Sequence, residues 1–418
     1  MADVTETEEP ENRPPVVELG DLAVGEGQTK AFELVTSDPD GDAVEISLVT
    51  ALEAQALESS LELHAPYGVV GPQDVMVSAR DARGAITEET RVVDVKPLAW
   101  RSATTWGAEG PEAREHGAMI VDTDARYALL VGGSGYAPYG EALGDVWRFD
   151  LDTKAWSSVM PSGDVPPPAG SRRVASVPGT TTAYLFGGYG EGNEVSNDLY
   201  RLDHANGEAA FELVSQMNPP PARALHAFFY DPATERFYAM GGFGQGVLDD
   251  LWSMQLVDGV AQWTQLDLPV RPSPRYGFFY GFDAEQQRLI LYSGAQGTAA
   301  VNPATDTWAL DVKSEPPVWT ALMVNSPPGR RNGCMVFDPT GPRLWVFGGT
   351  PDAMTTAPGL WVFDARAGKE TWTEKPMMGE PPLRSSGFGI FDATTEQALL
   401  GFGNSSTGVY QDLNAIGY

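Results

Sequence analysis

The 418-residue chain carries a single cysteine, Cys334, and only four histidines, His64, His116, His204 and His226. An intrachain disulfide framework and cysteine-based zinc sites are thereby excluded, and little is left for a multi-histidine metal centre. Basic residues are scarce: 27 Lys+Arg stand against 57 Asp+Glu, a formal net charge of −30. Such a chain lacks the basic face that DNA or RNA requires and is repelled by an anionic membrane surface. No apolar run reaches the roughly 18 residues of a membrane-spanning helix, and no stretch keeps a 3.6-residue hydrophobic period. What is present is 42% hydrophobic residues with 46 Gly, 33 Pro and 11 Trp, enough apolar matter for a large core cut by frequent turns. The chain reads as all-β.

Charge is unevenly spread. Residues 1–97 hold 21 acids and 6 bases, while residues 98–418 hold 36 and 21, so the shorter segment ahead of Lys96-Pro97 is far more acidic per residue. That shift predicts three parts: an acidic tether over 1–12, a first domain over 13–97 and a second over 98–418. The tether has neither a basic n-region nor an apolar h-region, so no signal peptide is expected within it. A mature exported chain whose leader, or lipid anchor, preceded residue 1 is one expectation; a cytosolic chain with a frayed end is the other.

The second domain has a period. Apolar runs ending in glycine place that glycine at 133, 188, 242, 294, 349 and 403, so the interval between successive glycines is nearly constant. After each comes an acid-aliphatic-aromatic group: Asp145-Val-Trp147, Asp198-Leu-Tyr200, Asp250-Leu-Trp252, Asp306-Thr-Trp308 and the variant Gly359-Leu-Trp361. A second aromatic follows at Trp156, Phe211, Trp263, Trp319 and Trp372. Upstream of each glycine stands an arginine: Arg114, Arg172 (or Arg173), Arg223, Arg275, Arg330 and Arg384. Four short strands in a unit of about 50 residues is the signature of a propeller blade. The sixth unit lacks its own second aromatic, and Trp100 lies ahead of the first unit. The strand around Trp100 is therefore predicted to complete the sixth blade and close the ring.

The Gly-Gly pair and the two spaced aromatics resemble the kelch repeat over residues 100–418, which implies a six-bladed kelch β-propeller. The fold hosts unrelated activities and so implies no single function. Kelch-bearing copper oxidases use a cysteine cross-linked to tyrosine; Cys334 sits in Asn-Gly-Cys-Met-Val-Phe, where a buried thiol is the simpler reading. The acid/histidine pattern of iron-binding plant specifier proteins is missing, so no copper, iron or zinc centre is expected.

Residues 13–97 show short alternating strands, the pattern of an antiparallel sandwich. Ser37-Asp38-Pro39-Asp40-Gly41-Asp42 and Ala79-Arg80-Asp81-Ala82-Arg83-Gly84 resemble phrases of cadherin-like, Ig-like repeats in surface proteins. The resemblance implies calcium on Asp38, Asp40, Asp42 and Asp81, with Glu26 from an early loop and Asn12 as a linker ligand. Such a site would point to an extracellular, cell-surface or periplasmic setting. The alternative is that the Asp-rich phrase is only a strong turn.

Candidate ligand-binding residues in the propeller are the six arginines, which would form a cationic ring at one mouth of the channel, together with His116 and Tyr276. Tyr136, Tyr139 and Tyr189, in Gly-rich loops, are candidates for stacking. Guanidinium groups would favour an acidic ligand, or else each arginine staples its own blade. The expected role is non-catalytic recognition of a protein or glycan ligand, by a monomer. The alternatives are a glycan isomerase or mutarotase using channel Arg, Glu and His, and a structural spacer.

Overall fold

The computed structural model describes residues 11–57, 59–100, 104–105, 109–135, 140–297, 302–352, 355–375 and 381–417. The chain divides into two compact units, Met1–Leu98 and Ala99–Gly417.

The first unit holds eight strands: β1 (Val16–Leu19), β2 (Ala23–Gly25), β3 (Thr29–Ser37), β4 (Val44–Thr50), β5 (Glu53–Ala56), β6 (Ser60–His64), β7 (Gly71–Asp81) and β8 (Ile86–Lys96). They form two four-stranded sheets, ordered β1-β3-β6-β5 and β2-β8-β7-β4. Alternation puts Val75, Val77 and Ala79 of β7 and Val93 and Val95 of β8 on one face. These meet Val17, Leu34, Leu61 and Leu63 of the other sheet in one buried core. β2 pairs parallel with the far end of β8, Gly25 opposite Lys96, whereas Arg80 of β7 pairs with Ile86 at its near end. The β2–β3 turn and the β7–β8 turn therefore lie at opposite ends of the sheet.

The second unit is a β-propeller of six sheets. Blade 1 runs Ala118–Asp122, Tyr127–Ser134, Ala142–Asp150 and Trp156–Val159 as an antiparallel meander. Blades 2 to 5 repeat it, with first strands Arg173–Ser176, Ala227–Asp231, Phe279–Asp283 and Cys334–Asp338. The Asp residues that end first strands receive backbone N–H groups of the following turn, as at Asp231 from Ala233 and at Asp283 from Glu285 and Gln286. Blade 6 is built from both halves of the unit's chain. Phe388–Asp392, Gln397–Gly401 and Asp412–Gly417 are joined by Ala99–Trp100, opposite Ile416 and Gly417, and by Thr104–Thr105, opposite Leu413 and Asp412. The closure expected from Trp100 is present.

Apolar clusters fill the spaces between blades. Trp156 of blade 1 packs on Phe149 and on Phe402 of blade 6, and Trp372 of blade 5 lies 4.6 Å from Tyr292 of blade 4. The recurring tryptophans are blade-to-blade packing. Trp345, outside their register, is fully buried and edge-on to Phe391 of blade 6.

The glycine period is an inter-blade hydrogen bond. The last glycine of each apolar run donates its N–H to a carbonyl of the next blade: Gly133 to Ala169, Gly188 to Arg223, Gly242 to Arg275, Gly294 to Arg330, Gly349 to Arg384, and Gly403 to Arg114. All six donors have positive φ, and a Cβ on Gly349 would lie 2.8 Å from the Arg331 carbonyl oxygen. Glycine is required there by both conformation and space.

Deleting residues 97–106 removes the closing strands and is expected to abolish the cooperative melting transition of the propeller. Deleting residues 1–10 is expected to leave that transition within about 2 °C, as read by calorimetry. An unchanged transition in the first deletion would refute closure by this strand.

Candidate functional site

The acceptor carbonyls of the inter-blade bonds define one equivalent position per blade: 114, 169, 223, 275, 330 and 384. Five are arginines and one is Ala169. Arg172 is thus out of register by three residues, in the place of His226 in blade 3. The glycine spacing carried this signal, since the step from Gly133 to Gly188, taken from Arg114, lands on Ala169.

Four of the arginines are locked inside their own blades. Arg114 donates from Nη1 and Nη2 to the two oxygens of Asp145 at 2.6 and 2.8 Å. Arg223 holds Asp250 at 2.8 and 2.8 Å, Arg275 holds Asp306 at 2.6 and 3.0 Å, and Arg384 holds Asp412 at 2.5 and 2.8 Å. Each also reaches a backbone carbonyl of the glycine turn, such as Gly132 or Gly241. The indole N–H of the aromatic two residues on completes the clamp: Trp147 to Asp145, Trp252 to Asp250 and Trp308 to Asp306. Asn414 replaces it in blade 6. This explains the acid-aliphatic-aromatic phrase. Burial pushes the Asp145, Asp306 and Asp412 carboxyls up, but the guanidinium bonds and charge outweigh it and hold them below the usual carboxylate range.

Arg330 has no such acid, because Gly359 stands at the aspartate position. It donates to the carbonyls of Pro328, Gly348 and Pro358, and burial lowers its pKa. Arg172 donates to the Pro167 carbonyl at 2.7 Å and lies over the Tyr200 ring. No arginine of the expected ring is more than 6% exposed. The cationic ring at a mouth is therefore corrected: Arg114, Arg223, Arg275 and Arg384 are staples, Arg330 is held by carbonyls, and Arg172 is displaced.

What faces the axis is the short segment after each arginine position. A cavity of about 160 Å³ is lined by His116, Arg173, Leu225, Gly277, Asn332 and Ser386, among others, with every blade contributing. Positive φ at His116, Ser171, Leu225, Gly277, Asn332 and Ser386 marks the same backbone kink in all six. Glu115 accepts from the Asn404 side-chain amide, and burial, only partly offset by Ser386, pushes its carboxyl up to about 7. Burial, reinforced by the charges of Arg173 and Arg331, drives His116 down to about 3, so its ring is neutral at pH 7. Arg173 donates to the His226 carbonyl at 2.9 Å. Arg331 Nε and Asn332 Oδ1 are buried without a hydrogen-bond partner.

The other expected residues fall as follows. Tyr189 is half-buried with its ring 6.1 Å from His116, and Tyr276 is 8% exposed against Phe243. Tyr136 and Tyr139 lie outside the described residues. His226 is fully buried against Phe186 with neither ring nitrogen bonded, and it does not pair with His116. Cys334 is buried, and burial pushes its thiol up to about 12. Arg173 is the alternative to Arg172 that the repeat offers, whereas Arg331 and Asn332 escape the sequence reading; the doubled Arg330-Arg331 is the available signal.

In the first unit, Asp38, Asp40 and Asp42 lie together. Arg13 Nε donates to Asp40 at 2.8 Å, and Arg83 spans Asp42 and Asp40 at 2.7 and 2.8 Å. Asn12 Oδ1, Asp38 Oδ2 and Asp81 Oδ2 are buried without partners. Glu26 does not join them. At the opposite end of the sheet it accepts from the backbone N–H of Leu98 and Gly68 at 2.9 Å each, so its expected place in a metal site is corrected.

Comparison with known proteins supports a kelch-type propeller. A model of the KLHDC2/KLHL20/DRC7 Kelch-repeats domain matches residues 69–270. Adagio-like protein 1 of Oryza sativa subsp. japonica is 24% identical over 74% of this chain and 50% of its own length. The chain thus spans about half of that relative. An N-(sulfonatooxy)prop-2-enimidothioate sulfolyase of Thlaspi arvense is 26% identical over 60% of this chain and 74% of that protein. Among solved structures, YjhT aligns with a TM-score of 0.55 at 15% identity, covering 74% of this chain and 99% of its own. A fungal alcohol oxidase of the AA5 family, in complex with copper, aligns at 0.53 and 12%, covering 76% of each chain. At these identities the two structures speak for the fold alone.

Arg223→Ala leaves the Asp250 carboxylate without its cation and is expected to destabilise the propeller by roughly 3–5 kcal/mol. Arg331→Ala, which breaks no described pair, is expected to cost less than about 1 kcal/mol. Urea denaturation followed by tryptophan fluorescence checks both.

Proposed function

We propose that the propeller is a recognition module that takes a carboxylate-bearing ligand, an acidic peptide or glycan, at the axial cavity. The observation that carries this reading is Arg331, which does not itself line the cavity but whose charge acts on His116, which does. Its Nε is buried without a partner, Arg173 adds a second positive charge near the same His116 ring, and that ring carries no charge of its own at neutral pH. A locally cationic spot on a chain of net charge −30 suits a carboxylate, which a guanidinium binds through paired hydrogen bonds. The cavity volume of about 160 Å³ fits a head group and not a chain, so the remainder of the ligand lies across the blade loops.

Binding depends on pH through Glu115. Its pKa is about 7, so below that value the carboxyl is neutral, and above it a second negative charge repels the ligand. Affinity for a glutamate-rich peptide or a uronic-acid oligosaccharide is expected to fall as pH rises from 6 to 8. Glu115→Gln flattens that dependence, and Arg331→Glu weakens binding by at least roughly ten-fold. Titration calorimetry on the full chain reads all three, and equal affinity of Arg331→Glu and wild type overturns the assignment.

A carboxyl poised near neutral pH also suits acid–base chemistry, which favours a glycan isomerase as the second reading. The same Glu115→Gln variant separates the two. A binder keeps its affinity at pH 6, whereas an isomerase loses turnover.

For the first unit we propose a calcium ion at Asp38, Asp40 and Asp42, whose carboxylates lie within ligand distance of one another, with the buried Asn12 Oδ1 and Asp81 Oδ2 as further oxygen donors. The fit is partial, since Asp40 and Asp42 already hold Arg13 and Arg83. Sites of this kind work at millimolar calcium, and an extracellular or periplasmic setting follows from the same reading. Millimolar calcium is expected to raise the melting temperature of wild type by a few degrees over chelator, and not that of Asp81→Asn. No calcium-dependent shift in wild type would leave the cluster a turn neutralised by two arginines.

A further inference from the structure

We infer that the cavity between blades 1 and 2 takes a cationic side chain, a guanidinium in first place, from a basic partner polypeptide. The inference is independent of the axial reading. Blade 2 is the one blade whose repeat position, Ala169, is not an arginine. In blades 1, 3, 4 and 6 the aspartate of the third strand is clamped by a guanidinium with donor–acceptor distances between 2.5 and 3.0 Å. Blade 2 keeps the aspartate and loses the arginine.

The backbone bonds around the position are kept. Gly133 donates to the Ala169 carbonyl at 3.1 Å, as its equivalents do to arginine carbonyls, and Gly187 donates to the Asp198 carbonyl at 3.1 Å, as Ser293 does to Asp306. Among the described residues, the Asp198 carboxylate accepts no hydrogen bond and forms no ion pair. In the sister blades it is this carboxylate that ligates a guanidinium.

Arg172 half-fills the vacated place. Its Nη1 reaches the Pro167 carbonyl, the equivalent of the Glu112, Pro221 and Ser273 carbonyls that receive arginine Nε elsewhere. Its guanidinium lies 5.8 Å over Tyr200, but it makes no ion pair with Asp198. A cavity of about 430 Å³ remains, and its lining includes Pro167, Arg172 and Asp198 with Glu141, Glu191 and Glu194. Four carboxylates around one guanidinium leave the cavity strongly negative, so it selects a cation.

The cation is not a metal ion. Among the described residues, only Asp38, Asp40 and Asp42 converge as metal ligands would; these four carboxylates do not. The shape left by the missing residue is that of an arginine side chain. A planar guanidinium can pair with both oxygens of Asp198, whereas an ammonium binds as a point charge. The incoming side chain repeats in trans the bond that the sister blades make in cis.

The test uses the full chain with three capped tripeptides, Gly-Arg-Gly, Gly-Lys-Gly and Gly-Glu-Gly, titrated by NMR at low ionic strength. The arginine peptide is expected to bind most tightly and the glutamate peptide not at all. Asp198→Asn is expected to weaken the arginine peptide by at least ten-fold. Ala169→Arg, which supplies the missing side chain internally, is expected to abolish binding and to raise the melting temperature. Arg331→Glu, altered only at the axis, is expected to leave it unchanged. Equal binding of the arginine and glutamate peptides overturns the inference, and so does undiminished binding by Asp198→Asn. Should Ala169→Arg crowd Arg172 and fail to fold, Asp198→Asn still decides.

Discussion

One residue position per blade ties the propeller together in two directions. Its carbonyl receives the N–H of the glycine that ends the preceding blade's apolar run, and in four blades its guanidinium clamps the aspartate of its own third strand. Neither bond stands alone. The guanidinium is buried, so it requires its carboxylate; the carboxylate in turn is fixed by an indole N–H from the same strand. Buried charge of this kind adds little net stability over apolar packing, but breaking one half is costly. Its effect is to fix how each blade's inner and outer strands meet, and hence where the axial residues point.

Two blades depart from the pattern in complementary ways. Blade 2 has the acid without its cation, and blade 5 has the cation without its acid. In blade 5 the space over Gly359 is approached by the Glu374 carboxylate and the Trp361 indole, each within 3.5 Å of where a Cβ would sit. Glu374 comes from the outer strand that pairs with Trp361, so a neighbouring strand brings negative charge toward Arg330. In blade 2 a downstream arginine makes a comparable approach from the axial side. The ring therefore keeps its geometry with the clamp intact in four of six blades, and the two departures are where polar groups are left over.

The fold was legible in the sequence because its determinants are local and repeat. Glycine at a positive-φ, sterically closed position leaves a mark that recurrence at a near-constant interval makes unmistakable, and Trp100 at the right distance from Arg114 disclosed the ring closure. The site was less legible. An arginine at a strand entrance looks the same in sequence whether it points to solvent or to an aspartate two strands further along its own blade. Arg172 was misplaced because a nearby arginine was accepted where the glycine interval pointed to Ala169. Glu26 was grouped with distant carboxylates because a turn acid gives no sign of which end of a sheet it occupies. Arg331 went unnoticed because its position, one past the repeat arginine, holds a different residue in each blade: Glu115, Gly170, Ala224, Tyr276, Arg331 and Ser385. Variation at one fixed place is what a site superimposed on a repeat produces.

The sixth blade joins strands near both ends of the unit Ala99–Gly417. During synthesis, Ala99–Trp100 and Thr104–Thr105 leave the ribosome long before Asp412–Gly417 exists to receive them. At roughly 5–20 residues per second, they wait at least about a quarter of a minute as unpaired strand edges. Five blades can form their meanders in order, since each is contiguous, but the ring becomes a ring only at the last few residues. The nascent chain is thus an open arc with two sticky ends, and its vulnerability to proteases and to pairing with a neighbouring copy is concentrated in that interval.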